Sequence, residues 1–258
     1  MVIRMFLVFV SFLTLNALHA QTKKKKDRFP SYFGLAVSPV IPNNFIGSKS
    51  AVFVDSASTI TTTFNQRPGI MFGASMRIGI TKLISIETGI YQVRRNFSAT
   101  VSVPDSNVHA TQKLGFVNYD IPINALIYVQ LADEWYMNAA LGFSVNQYPS
   151  DVRDTIVQGK NLLQFEGRRV ERTHFSTNAG IGFEYRTKKA GTFYLGAAGK
   201  ITFRPIMLGV GVMHQVGTSN KLMSYGRING GYFSLDFRYY IPTTSLKGSQ
   251  FKKGPIEQ

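Results

Sequence analysis

The chain has 258 residues, with 29 Lys and Arg against 14 Asp and Glu for a formal net charge of +15, and it contains no cysteine. The absence of cysteine excludes a disulfide framework, a thiolate metal site and a lipid-modified cysteine. No nucleic-acid motif accompanies the basic charge, so it is not read as a nucleic-acid footprint, and the length suits one large all-β domain.

Residues 1–20 are predicted to be a signal peptide. Arg4 gives the positive start, Met5–Leu15 is an apolar run, and Ala17-Leu18-His19-Ala20 offers a small-residue cleavage site before Gln21. The run is too short to span a bilayer as a helix. Cleavage removes one Arg and no acid, leaving +14. Residues 21–31 are expected to be a basic periplasmic segment. Its run Lys23–Lys26 is a solvated tail or an attraction for anionic phosphates.

Alternation with a period of two marks strands, because successive side chains point to opposite faces. It recurs over Tyr32–Ser38, Ile70–Ile80, Ile84–Arg95, Phe116–Gln130, Trp135–Asn146, His174–Arg186, Thr192–Arg204 and Ile228–Ile241. In VNYDIPINALIYV, residues 117–129, one face carries Val117, Tyr119, Ile121, Ile123, Ala125, Ile127 and Val129. The other carries Asn118, Asp120, Pro122, Asn124, Leu126 and Tyr128. Pro122 removes a ladder donor in mid-strand and predicts a local bulge.

The predicted connections alternate in length. Thr81–Leu83, Leu131–Glu134 and Thr187–Gly191 are hairpin-sized, whereas Pro39–Gly69, Asn96–Gly115, Gln147–Thr173 and Pro205–Arg227 are read as long loops. Short turns on one rim and long loops on the other are the pattern of an outer-membrane barrel, here residues 32–241, with both ends on the periplasmic side. The tail 242–258, with Lys247, Lys252 and Lys253, is expected to be flexible.

One face of the eight segments carries about forty mostly large apolar side chains. That is too many for the interior of an eight-stranded barrel, which side chains of ordinary size already fill. The opposite face is rich in Gly, Ala, Ser and Asn. It also sets Arg77, Glu87, Asp120, Glu184, Lys200, Asp236 and Arg238 in the lumen, where opposite charges can pair. The expected fold is therefore all-β: an eight-stranded antiparallel up-and-down transmembrane β-barrel with its apolar face outward. Aromatic girdles are expected from Phe33, Trp135, Tyr185, Phe193 and Tyr239 near the short turns. A second girdle is expected from Phe97, Phe116, Phe143, Phe175 and Phe203 toward the long loops. A lumen filled with charged and Tyr side chains argues against an open pore.

Tyr119-Asp120-Ile121-Pro122-Ile123, running into Leu126-Ile127-Tyr128, resembles the Tyr-Leu-Glu-Ile-Pro segment of PorT-like outer-membrane β-barrel proteins of Bacteroidota. Leu83–Tyr91 resembles the strand that follows the first periplasmic turn in that family. Asp120 stands where the family usually has Glu. The resemblance spans the barrel and implies eight strands, an outer-membrane location and tolerance of Pro122. The family's name-giving member supports protein secretion and gliding, a role the resemblance does not by itself carry to this chain.

His174 and Ser176 are the one arrangement that could be nucleophilic. Their spacing of two puts both on one strand face, and His-x-Ser is similar to the pair in outer-membrane lipid A deacylases. A triad needs a third group to orient the histidine. Glu184 lies eight residues from Ser176, beyond reach at about 3.3 Å per residue, while Glu166 and Glu171 lie in or near the preceding loop. His109 and His214 sit in separate loops, so neither a metal nor a cofactor is expected. Arg168, Arg169 and Arg172 form a basic patch that could contact lipopolysaccharide phosphates.

These features predict a non-catalytic outer-membrane barrel with a structural or interaction role, and a link to a secretion system as the finer expectation. Its partners would be outer-membrane lipids, lipopolysaccharide, and a protein met through the long loops or the periplasmic tails. A lipid A deacylase-type esterase and a soluble lipocalin-like carrier, with the apolar face turned inward, are the alternatives.

Overall fold

In a computed structural model the chain forms a closed ring of eight antiparallel strands that carries a second, smaller sheet at one end. The described residues are 31–57, 59–187, 189–218 and 221–242. The predicted signal peptide, the Lys23–Lys26 run and the tail lysines Lys247, Lys252 and Lys253 lie outside them.

Thirteen strands follow in order: β1 Tyr32–Ile41, β2 Ser50–Val54, β3 Thr61–Gly79, β4 Ile84–Val103, β5 Val108–Ala132, β6 Trp135–Gln147 and β7 Val152–Gln158. Then come β8 Asn161–Arg169, β9 Thr173–Arg186, β10 Thr192–Thr202, β11 Met207–Gln215, β12 Lys221–Ile228 and β13 Tyr232–Tyr240. The ring is β1-β3-β4-β5-β6-β9-β10-β13, and β1 pairs with both β3 and β13 to close it. Each ring strand neighbours the next ring strand in sequence, so the barrel is up-and-down. Closure gives every ring strand a partner on both sides, which is what a hydrocarbon environment demands of a backbone.

The faces sort by polarity. Ile121, Ile123, Phe143, Ile181 and Leu235 are 37–65% exposed on the outside, whereas Glu87 and Asp236 are 1% and 2% exposed within. The inward-apolar arrangement of a soluble carrier is therefore the reverse of what is found. An apolar belt of this extent belongs in lipid, since in water it would be an aggregation surface.

Three strands outgrow the belt. At about 3.3 Å per residue, a strand of 25 residues such as β5 runs roughly 80 Å, against an apolar band of about 25 Å. The excess explains the main departure from the sequence reading. The segments expected as long loops are largely β-structure. β2 and the outer halves of β3, β4 and β5 form one layer, and β7, β8, β11 and β12, in the order β12-β11-β8-β7, form another. A hydrophobic core fills the space between them, built on Phe64, Phe97, Phe116, Leu163, Phe165 and Met213. Phe97 and Phe116, expected in a girdle, are each 1% exposed in this core. A 3-10 turn at Pro104–Ser106, followed by Asn107 at φ 49°, closes the β4–β5 hairpin at its far tip.

Two details of register depart from expectation. No bulge occurs at Pro122. The β4–β5 ladder skips the pairs between Thr88–Ile123 and Tyr91–Asp120 and resumes in the same register, while Pro122 stays opposite Ser144 of β6. The register shift lies instead between Arg67 and Ile70 of β3, at Pro68-Gly69. It switches the inward parity from Thr62, Phe64 and Gln66 to Met71, Ser75 and Arg77, as an extra residue must. Ile228, expected in the last ring strand, ends β12 instead.

Candidate functional site

The lumen gathers the buried charges of the ring. Alternation on the ring strands turns Arg77 of β3, Glu87 of β4, Glu184 and Arg186 of β9, and Asp236, Arg238 and Tyr240 of β13 to the axis, where all are buried or nearly so. Arg77 bridges two acids. Its Nε donates to Glu87 Oε2 at 2.7 Å, and its Nη1 donates to Glu184 Oε1. β3 and β9 are four places apart in a ring of eight, so the Arg77–Glu184 pair spans the diameter.

The remaining lone pairs and charges are met in turn. Glu184 accepts from Arg186 Nη2 at 2.8 Å and from Asn138 Nδ2 at 2.8 Å. Glu87 accepts from Arg238 and from the Tyr240 hydroxyl at 3.0 Å, while Arg238 Nη2 reaches Asp236 at 2.8 Å. Tyrosine rings cover the guanidinium faces: Arg186 lies 3.9 Å from the Tyr136 centroid, and Arg77 lies 4.3 Å from that of Tyr240. Buried charges are tolerated when paired and hydrogen-bonded in this way.

A second layer lies toward the outer end. Lys200 of β10 pairs with Asp120 of β5 and donates to Ser144 Oγ at 3.2 Å. Asn178 donates to the same Ser144 at 2.6 Å and to Asn124 at 3.2 Å. Between the layers is a cavity of about 50 Å³, lined among others by Glu87, Tyr91, Asp120, Lys200, Tyr232 and Asp236. That is room for a few waters and no more. Above it Arg95 crosses from β4, donating to the Gly230 carbonyl at 2.8 Å and to Asn118 Oδ1 at 3.3 Å beneath the Tyr232 ring. No carboxylate among the described residues bonds to Arg95.

All seven lumen residues expected from the sequence thus lie on the inner face, in two linked groups: Arg77, Glu87, Glu184, Asp236 and Arg238 below, Asp120 and Lys200 above. Arg186 and Arg95 were not among them. Their signal was available in the sequence, since Arg186 shares parity with Glu184 and Arg95 shares parity with Glu87.

His174 and Ser176 are also buried on the inner face, near the outer rim. The Ser176 hydroxyl accepts from Asn146 Nδ2 at 2.9 Å, and His174 Nε2 lies 3.1 Å from the backbone carbonyl of Glu171. The carboxylates considered as partners are engaged elsewhere: Glu166 with Arg153 and Arg168, Glu171 with Arg204, and Glu184 with Arg77 and Arg186.

The three arginines of the expected basic patch each have their own surroundings. Arg168 holds Glu166 at 2.9 Å, Arg169 donates to the Tyr148 and Pro149 carbonyls, and Arg172 is exposed. Burial pushes the Glu166 carboxyl up, but hydrogen bonds from Arg168 and Arg153 outweigh it and hold this carboxyl below its ordinary value. Among the described residues no group of three or more His, Asp or Glu side chains could hold a metal ion.

No family model and no curated protein matches this chain. Solved structures of outer-membrane proteins are similar to it in course, two of them as follows. One is the outer membrane protein OprG from Pseudomonas aeruginosa, at 9% identity and a TM-score of 0.49, covering 86% of this chain and 100% of that one. The other is the transport unit of the autotransporter AIDA-I from Escherichia coli, at 10% identity and a TM-score of 0.27, covering 86% of this chain and 92% of that one. The barrel assignment stands on this chain's own strand ring and apolar belt.

Proposed function

We propose that the protein is a non-catalytic, non-conducting barrel of the outer membrane, of the PorT-like kind, that displays a folded platform at the cell surface to a ligand or a protein partner. The observation that carries this reading is the cap. Its two layers enclose a hydrophobic core of their own, so the outer end is a fixed surface and not a set of loose loops. The edge strands of the cap add support. β2 and β12 end their sheets, and Val52, Val54, Met223 and Tyr225 expose apolar side chains along them. β2 and β12 lie against each other, with Phe53 over Gly226, so these exposed groups form one apolar patch of the kind that partner surfaces use.

A photo-crosslinking side chain at Tyr225 or Val54, in intact cells, is expected to trap a discrete adduct. Absence of any adduct at both positions overturns the platform reading. Ser176→Ala is expected to leave lipid A acylation unchanged by mass spectrometry, and loss of a deacylated species in that variant overturns the non-catalytic reading.

A further inference from the structure

The apolar belt is not uniform. On the short-turn rim a cleft of about 730 Å³ opens outward across β6, β9, β10, β13 and β1. The ladders align a row of outward side chains there: Trp135 opposite Tyr185, Tyr185 opposite Phe193, and Phe193 opposite Tyr239. Trp135 and Tyr185 lean together at 4.9 Å between ring centroids, as do Phe193 and Tyr239 at 5.3 Å. Deeper along the strands the lining is Leu195 and Phe237. The volume falls within the roughly 300–1,000 Å³ of small-molecule sites. Amphipathic rings at this height mark the level where headgroup meets acyl chain. The Thr187–Gly191 turn, directly below Tyr185 and Phe193, exposes Lys189.

We propose that this cleft is a lipid-binding site, holding an acyl chain of one glycerophospholipid from the periplasm-facing leaflet with the lipid phosphate at the Lys189 ammonium. The proposal rests on the membrane reading above. Its chemistry is an apolar-lined slot at the rim with Lys189 exposed on the turn that joins two of its strands, and a juxtamembrane lysine attracts lipid phosphate.

Trp135 is the one tryptophan of the chain and a wall of the cleft, so its fluorescence reads occupancy. The full-length protein in detergent micelles is titrated with phosphatidylethanolamine brominated on its acyl chains. Quenching is expected to saturate near one lipid per protein. Val37→Phe/Leu195→Phe, which fills the cleft, should abolish saturation and leave a shallow linear quench. Lys189→Gln should raise the half-saturating lipid fraction about fivefold. Heat-modifiable gel mobility verifies that each variant is folded. Linear quenching that is identical in the wild type and the filled variant means that Trp135 meets bulk lipid only, and it overturns the site while leaving the membrane reading intact. Failure of the membrane reading itself looks different: Trp135 would then escape quenching even in bilayers made wholly of brominated lipid.

Discussion

Glu87 is the acid on which the lower lumen converges. It is 1% exposed and accepts from Arg77, Arg238 and Tyr240 together. Glu87→Gln keeps the shape and removes the charge, so two guanidiniums face an amide whose NH2 repels one of them. Removing one member of a buried pair costs about 3–5 kcal/mol, because a charge is left uncompensated away from water. Glu87→Gln is expected to lower the unfolding free energy by about 3 kcal/mol, measured by urea unfolding of the refolded barrel in detergent. Adding Arg77→Met should make the protein more stable than Glu87→Gln alone. The double variant leaves each remaining charge a partner, Glu184 with Arg186 and Asp236 with Arg238. A double variant whose loss equals the sum of the two single losses would show that the network is not coupled in this way.

Among the elements, the cap and the ring have separate cores and should yield separately. Phe165 of β8 is fully buried in the cap. Phe165→Ala is expected to cost about 3–5 kcal/mol locally. Its amides in β8 and β11 should exchange hydrogen faster, while those of β4 between Ile84 and Val93 keep their protection. Faster exchange throughout the ring would mean that cap and barrel fold as one unit. The same division explains what the sequence disclosed. Ring strands were legible because their outward faces are apolar and their inward faces polar, as in β9. Beyond Arg94 the polarity of β4 inverts: Asn96, Thr100 and Ser102 point to solvent, and Phe97, Ala99, Val101 and Val103 point to the cap core. The outward apolar face therefore ends at Arg95, and from sequence Phe97 reads as a girdle residue. In β3 the Pro68-Gly69 bulge shifted the phase, so Thr61–Arg67 looked unrelated to the strand it continues. The lumen was legible by parity as far as the strands were. The diametric Arg77–Glu184 contact was not, because residues 107 apart in sequence meet only through closure of the ring.

At the scale of the whole molecule, three barriers stand in series along the axis. The Arg77–Glu87–Glu184–Arg238 layer joins opposite walls, and the Asp120–Lys200 layer closes the next level beneath Tyr232. The cap core then covers the outer mouth. The cavity between the two charged layers, about 50 Å³, is a pocket and not a passage. An ion crossing this path must shed water beside fixed charges that already hold one another, and desolvation without new partners is costly. In planar bilayers the wild type is therefore expected to give no unitary current steps. Barriers in series also predict the behaviour of variants, since conductance is limited by the tightest point. Glu87→Ala/Arg77→Ala/Arg238→Ala breaks the lower layer, leaving Glu184, Arg186 and Asp236 in it, and leaves Lys200, Asp120 and the cap across the axis, so this triple variant should stay silent as well. Steps in the wild type would show that the charged layers part under voltage, and steps confined to the triple variant would show that the lower layer alone is the seal.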